Sequence, residues 1–315
     1  MHFRIRLFRS RVAAAFEPIA AAAAAFRIVS AAPAAAEVPA VLGDLAKYFE
    51  PEKPYRAEAG ADRLAVALGL FPPLQTGGDS TDVEFLRLAG VSRHHNVAGA
   101  DASLFFGRAL GSATGFQFSA VNVVDGPVRG VQFGLLANVA GTMPETESRG
   151  VQLALLANWA DPFRGVQFSP GFNRSLRGGF AQIAFLSNVS DDFSGVQLSA
   201  VNLRGKSFSG AQIGLLNGGA DRFSGLQLGL ANSAVPLGKA DHDAKMDGWQ
   251  VSLAVNAADS VSGGQFSIVN LASDVKGVQI GLYNQARRLS GVQIGLLNHC
   301  DSSDVPFLPL FRAAF

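Results

Sequence analysis

Few side chains in this chain are arranged for chemistry, and each candidate has a plain alternative. His94 and His95, in "SRHHNV", are adjacent, and neighbours in extended chain point to opposite sides, so a shared metal ion is disfavoured and a solvated turn is expected. Asp241, His242 and Asp243, in "ADHDAK", could hold a weak divalent ion but read more simply as a charged loop. Cys300 is the only cysteine, which excludes an internal disulfide and a thiolate zinc cluster; it is expected to be a buried or loop thiol. Asp125, Asp161, Asp191, Asp221 and Asp259 recur with a fixed period. Residues repeated in this way serve the fold, here as turn formers through Asx-type bonds. No Gly-x-Ser-x-Gly elbow, phosphate-binding loop or His-Glu-x-x-His motif occurs, so no enzyme, cofactor or metal site is expected.

The repeat is the dominant signal. "SGVQIGLLN" at 290–298 follows "KGVQIGLYN" at 276–284, and the same phrase places Gln117, Gln132, Gln152, Gln167, Gln182, Gln197, Gln212, Gln227, Gln250, Gln265, Gln279 and Gln293 in equivalent positions. An asparagine follows each glutamine by five or six residues, from Asn122 and Asn138 to Asn284 and Asn298. Within a copy, Val292, Ile294 and Leu296 alternate with Gly291, Gln293, Gly295 and Leu297. That period of two is a β-strand, one face apolar and the other Gly, Gln and a small residue. The glutamines then form a structural belt, each amide able to bond its neighbour or water.

Two architectures can use the unit. One is a β-solenoid with one 15-residue repeat per turn, which stacks Gln and Asn into ladders. The other is an antiparallel sheet with one copy per strand. By subtraction, the gaps after Gln117, Gln152, Gln182, Gln212, Gln250 and Gln279 are 15, 15, 15, 15, 15 and 14, whereas those after Gln132, Gln167, Gln197, Gln227 and Gln265 are 20, 15, 15, 23 and 14. Both large insertions fall in the second class, and the recurrent aspartates fall in the first. Two alternating kinds of turn point to a hairpin repeat. With further strands at 63–71, 83–90, 97–106 and 305–315, the expected fold is an all-β antiparallel up-and-down barrel of about sixteen strands.

Composition and the chain start agree with export. The chain has 315 residues, 48% hydrophobic and 16% charged, with net charge +1, which leaves no electrostatic footprint for nucleic acid. Residues 1–36 run from Arg-rich to Ala-rich and apolar to an Ala-x-Ala site, the order of a signal peptide. Residues 37–62 form a distinct lead-in or plug, with Leu42, Leu45 and Tyr48 at helical spacing, and 63–315 is the repeat β domain.

"GVQIGLLN", "LRLAGVSRHHNVAGADASLFF" and "PFLPLFRAAF" resemble a family of bacterial surface-repeat proteins. The resemblance covers about 64–315 and implies an outer-surface location with no known activity. The ending also resembles the terminal signal of outer-membrane barrels, with Phe307, Phe311 and Phe315 alternating. Phe163, Phe193 and Phe223 are then expected at a periplasmic rim. The leading functional expectation is an outer-membrane protein, in contact with outer-membrane lipid, acting as a weakly selective pore with a roomy, neutral lumen or as a surface scaffold. The alternative is a secreted β-solenoid that binds a surface ligand or adheres through its Gln and Asn ladders.

Overall fold

A computed structural model describes residues 62–72, 74–141, 147–234 and 244–315. The signal peptide, nearly all of the lead-in segment and the Asp241, His242, Asp243 triplet lie outside the described residues. Equivalent strands pair parallel and in register, Gln167 on Gln182, Gln182 on Gln197 and Gln197 on Gln212. One repeat is therefore one turn. Twelve glutamine turns follow three others, in which Ala67, Arg87 and Asp101 hold the same position, giving about fifteen turns of a parallel β-solenoid. At 4.7–4.9 Å per strand step the stack is roughly 67 Å long. The sixteen-strand antiparallel barrel, and the pore it implied, are overturned. Among the described residues, only the short strand Leu74–Gln75 and the last strand, Phe307–Ala314, pair antiparallel, each with an end of the stack. The terminal phenylalanines thus belong to a capping strand.

The turn from Gln182 to Gln197 shows how the sequence closes on itself. Gln182, Ala184, Asn188, Ser190 and Phe193 point inward and are buried. The chain bends at Phe185 and Leu186, and the pairing register shifts between Ser190 and Asp192 within the strand Ser187–Leu198. The interior has two parts. One is a column of amides. The other is an apolar seam where Val97, Ala113, Val128 and Phe163 meet Ala109, Val124, Ala140 and Ala160, continued by Phe193, Phe208, Phe223, Met246 and Val261. Phe208 stacks on Phe193 at 5.9 Å and on Phe223 at 5.5 Å. Phe163, Phe193 and Phe223 are interior residues, so the periplasmic rim expected of them does not exist.

The glycine two residues before each glutamine is fixed by the same stacking. Gly210 has φ of 131°, and a Cβ there would sit 2.0 Å from the carbonyl oxygen of Gly195, the equivalent glycine one turn earlier. Equivalent residues stacked in register repeat the constraint in each turn. Phe180 alone breaks the column, holding φ of 103° with a side chain 70% exposed.

The alternating turns have a different cause from hairpins. Both insertions leave the rod at one corner, after Ala140 and after Ala234. Every turn passes that corner, so their shared parity is accidental. The alternating aspartates reflect contacts between turns. Asp125 accepts from Arg108 of the preceding turn at 2.9 Å, and Asp161 accepts from the Arg177 backbone N–H of the following turn at 3.1 Å. Acids in every turn would stack like charges one strand step apart, which destabilises a sheet. Neighbouring turns therefore carry a base or hydroxyl.

Candidate functional site

The glutamine belt is a closed hydrogen-bonded chain. Nε2 of Gln132 donates to Oε1 of Gln117 at 2.9 Å, and Gln152 to Gln132, Gln167 to Gln152, Gln182 to Gln167, Gln197 to Gln182 and Gln212 to Gln197 follow at 2.7–2.8 Å. Gln227, Gln250, Gln265, Gln279 and Gln293 continue the series at 2.7–3.2 Å. These glutamines are 0–3% exposed. Neither a roomy lumen nor a binding ladder is left, because each amide is spent on the next.

The asparagines form a second ladder of opposite sense. Asn122 donates to Asn138 at 2.8 Å, Asn138 to Asn158 at 2.9 Å, and the series ends with Asn284 donating to Asn298 at 2.8 Å. Glutamine N–H bonds thus point toward the first turns and asparagine N–H bonds toward the last. Two antiparallel rows of amide dipoles largely cancel along the rod.

A buried charge ends the glutamine column on its donor side. Gln117, whose N–H points outward from the ladder's start, donates to Asp101 at 3.2 Å. Asp101 is held by a fully buried Arg87 through Nε at 2.7 Å and Nη2 at 2.5 Å. At the other end Gln293 pairs in register with Arg312, which is 4% exposed. A carboxylate therefore meets the donor end, as the dipole of the row favours, while at the acceptor end Arg312 donates to the Val305 carbonyl and Gln293 Oε1 takes no hydrogen bond among the described residues.

His94 and His95 point apart, as expected, but they are buried rather than solvated. His94 Nε2 donates to the Thr76 carbonyl at 2.8 Å, which leaves Nδ1 facing Arg87 Nη1 at 3.5 Å. Burial pushes the His94 imidazole below its ordinary range, and the Arg87 charge adds to this against the Thr76 bond. His95 Nδ1 lies 2.7 Å from Asp82. Nearby, burial raises the Asp125 carboxyl, against the pull of Arg108 at 2.9 Å. These groups close the first turns and face inward. Cys300 is buried, with Sγ 3.8 Å from the Arg287 carbonyl.

What the rod presents outward is apolar. Phe168, Leu198, Ile213 and Ile294, each following its glutamine, are 39–45% exposed. The bend beyond them protrudes further, with Leu156 at 56%, Leu186 at 57%, Leu215 at 60%, Leu253 at 74% and Leu296 at 64%. From Gln117 to Gln293 this flank is roughly 53 Å long and about 16 Å wide, on the order of 850 Å². Soluble monomers seldom expose a patch above about 600 Å². Near its end lies a furrow of about 660 Å³ between Ile280 and Ile294 on one side and Leu282 and Leu296 on the other. The charged side chains Asp161, Arg177, Asp192, Arg222 and Asp274 lie at the other corner, the one from which both insertions leave.

No protein-family model, curated protein or solved structure matches this chain. Its own geometry therefore carries the functional reading. Alternation in the sequence turns the apolar face of Val292, Ile294 and Leu296 outward but does not resolve the leucine ridge as a corner, although the signal is present. "GLLN" places two apolar residues in succession where strict alternation allows one, which marks a corner with both side chains outside.

Proposed function

We propose that the protein is an exported, non-catalytic rod that serves as a scaffold at the cell surface and binds through its apolar flank. One observation carries this reading: the uninterrupted outward row of apolar residues through twelve successive turns, with Leu156, Leu186, Leu215 and Leu296 all more than half exposed. A surface of that size is an interaction surface in a folded protein. The signal-like start and the repeat's likeness to surface proteins support export. The ladders supply a rigid body, since in-register stacking of identical residues fixes each turn on the next.

Fractionation of producing cells tests the reading. The chain is expected in the envelope fraction, accessible to added protease without lysis, and released by alkaline carbonate without detergent, because a rod does not thread the bilayer. Recovery in the cytosol, or release by detergent alone, would refute it.

A further inference from the structure

Resting on that reading, we infer that the occupant of the apolar flank is a phospholipid leaflet, with the rod lying in its plane and the leucine bend inserted. Shape, charge and the furrow point the same way. Leu156, Leu186 and Leu215 sit at a bend between two strand segments, and Leu253 and Leu296 hold the matching place in unbroken strands, so the flank culminates in a convex ridge. Two convex ridges bury little against each other, whereas acyl chains conform to one. The furrow of about 660 Å³ between the isoleucine and leucine columns is bounded mainly by aliphatic groups, with Phe266, Ser252, Ser267 and two glycines, Gly281 and Gly295, completing the wall. Flexible hydrocarbon fills such a space.

The border of the flank carries the charge complementary to an anionic leaflet. Arg129, Arg149 and Arg164 stand in register in three successive turns, three residues before their glutamines. Arg149 and Arg164 share the single carboxylate of Glu147, at 2.6 and 3.5 Å, and their side chains are 66% and 70% exposed. Among the described residues, three guanidiniums against one carboxylate leave an excess of two positive charges beside the apolar surface. Trp249, 46% exposed on the flank, and Trp159, under the Arg174 guanidinium at 4.6 Å, are placed like the aromatic and basic residues that sit at headgroup level.

The test uses the full chain with vesicles of phosphatidylcholine alone and with about a third phosphatidylglycerol, at low and high salt. Expected are co-flotation with both, at least several-fold stronger on the anionic vesicles and weakened by salt, and a blue shift of tryptophan fluorescence lost in Trp249→Ala. The triple variant Leu156→Gln, Leu215→Gln, Leu296→Gln should lose flotation at least tenfold with an unchanged circular dichroism spectrum. Arg149→Gln with Arg164→Gln should lose only the anionic preference. The wild-type fluorescence shift needs no variant to fold. Absence of flotation, with dimers that the leucine variant dissolves, would replace lipid by a second copy and leave the scaffold reading standing. A monomer that neither floats nor responds to the leucine substitutions would overturn both.

Discussion

Replacing Gln197 by leucine tests the inverted sidedness of this rod, because ordinary intuition about cores gives the opposite answer. Gln197 Nε2 donates to Gln182 Oε1 at 2.7 Å and to Ser190 Oγ at 3.0 Å, and its Oε1 accepts from Gln212 at 2.7 Å. Gln197→Leu removes all three bonds and orphans a fully buried acceptor on Gln182 and a donor on Gln212. Each orphan costs about 1–3 kcal/mol, and the added apolar burial returns only part of this, so a net loss of about 2–4 kcal/mol is expected. Leu215→Asn, an apolar to polar change at a side chain 60% exposed, should stay within about 0.5 kcal/mol. Urea unfolding followed by circular dichroism reads both, with amide exchange around Gln182 and Gln212 locating the loss, since repeat stacks can open locally. A neutral Gln197→Leu beside a strongly destabilising Leu215→Asn would refute the buried ladder.

Phe180→Gly should stabilise the rod by about 1 kcal/mol, because relieving a left-handed φ on a bulky residue outweighs the entropy of glycine, whereas Gly210→Ala, with its Cβ 2.0 Å from a carbonyl oxygen, should abolish or severely weaken folding. Paired urea midpoints check both, and a destabilised Phe180→Gly would remove the strain argument. Acid should loosen the first turns through His94: its folded pKa lies below the ordinary 6.5, so the unfolded chain protonates first and stability present above that pH is lost as pH falls through it. The groups facing it are Arg87, Asp101 and Asp79, and Asp125 nearby acts with the opposite sign, so the measurement is the difference between wild type and His94→Gln in amide exchange at Arg108 and Ala109 from pH 7.5 to 5.5. Equal pH dependence in the two proteins would exclude His94 as the cause.

Strand, period and sidedness were legible in the residues, but connectivity was not. Alternation around each glutamine gave an inward Gln and an outward Val, Ile or Leu, and both assignments hold in the rod. A strand's own residues do not record whether its neighbour runs parallel or antiparallel, so the decision fell on the gaps, where two insertions at one corner and charge alternation between turns imitated hairpins. The better discriminator was the glycine before each glutamine. A barrel wall facing a lumen has no need of glycine at one position in successive strands, while an in-register parallel stack forces it, because each would-be Cβ meets the equivalent carbonyl below. The doubled leucine carried the corner in the same way. The polar network of Arg87, His94 and Asp101 is not legible in the sequence, since Arg87 and His94 lie seven residues apart in one strand and Asp101 joins them only by stacking from the next turn.

The rod's hydrogen bonding decides how it can meet a membrane. Strand bonds run along the rod axis from turn to turn, and the side-chain amides are paired along the same axis, so the flank presents no backbone group that must be hydrated. Lipid can therefore cover the leucine bend without the penalty that keeps open sheet edges out of hydrocarbon. The two ends are different. At the first turns the buried Arg87 and Asp101 pair closes the glutamine ladder, and at the last turns Arg312 is buried beside Gln293, with Arg63 and Glu84 exposed beside the first strand. End-on insertion would carry these charges and the unpaired strand edges into the bilayer together. Side-on association brings Val, Ile, Leu, Phe and Trp249, with Arg129, Arg149 and Arg164 at the headgroup border, and leaves the corner of Asp161, Arg177, Asp192 and Asp274 in water. The polar interior and apolar exterior are thus compatible in one orientation, with the axis parallel to the leaflet.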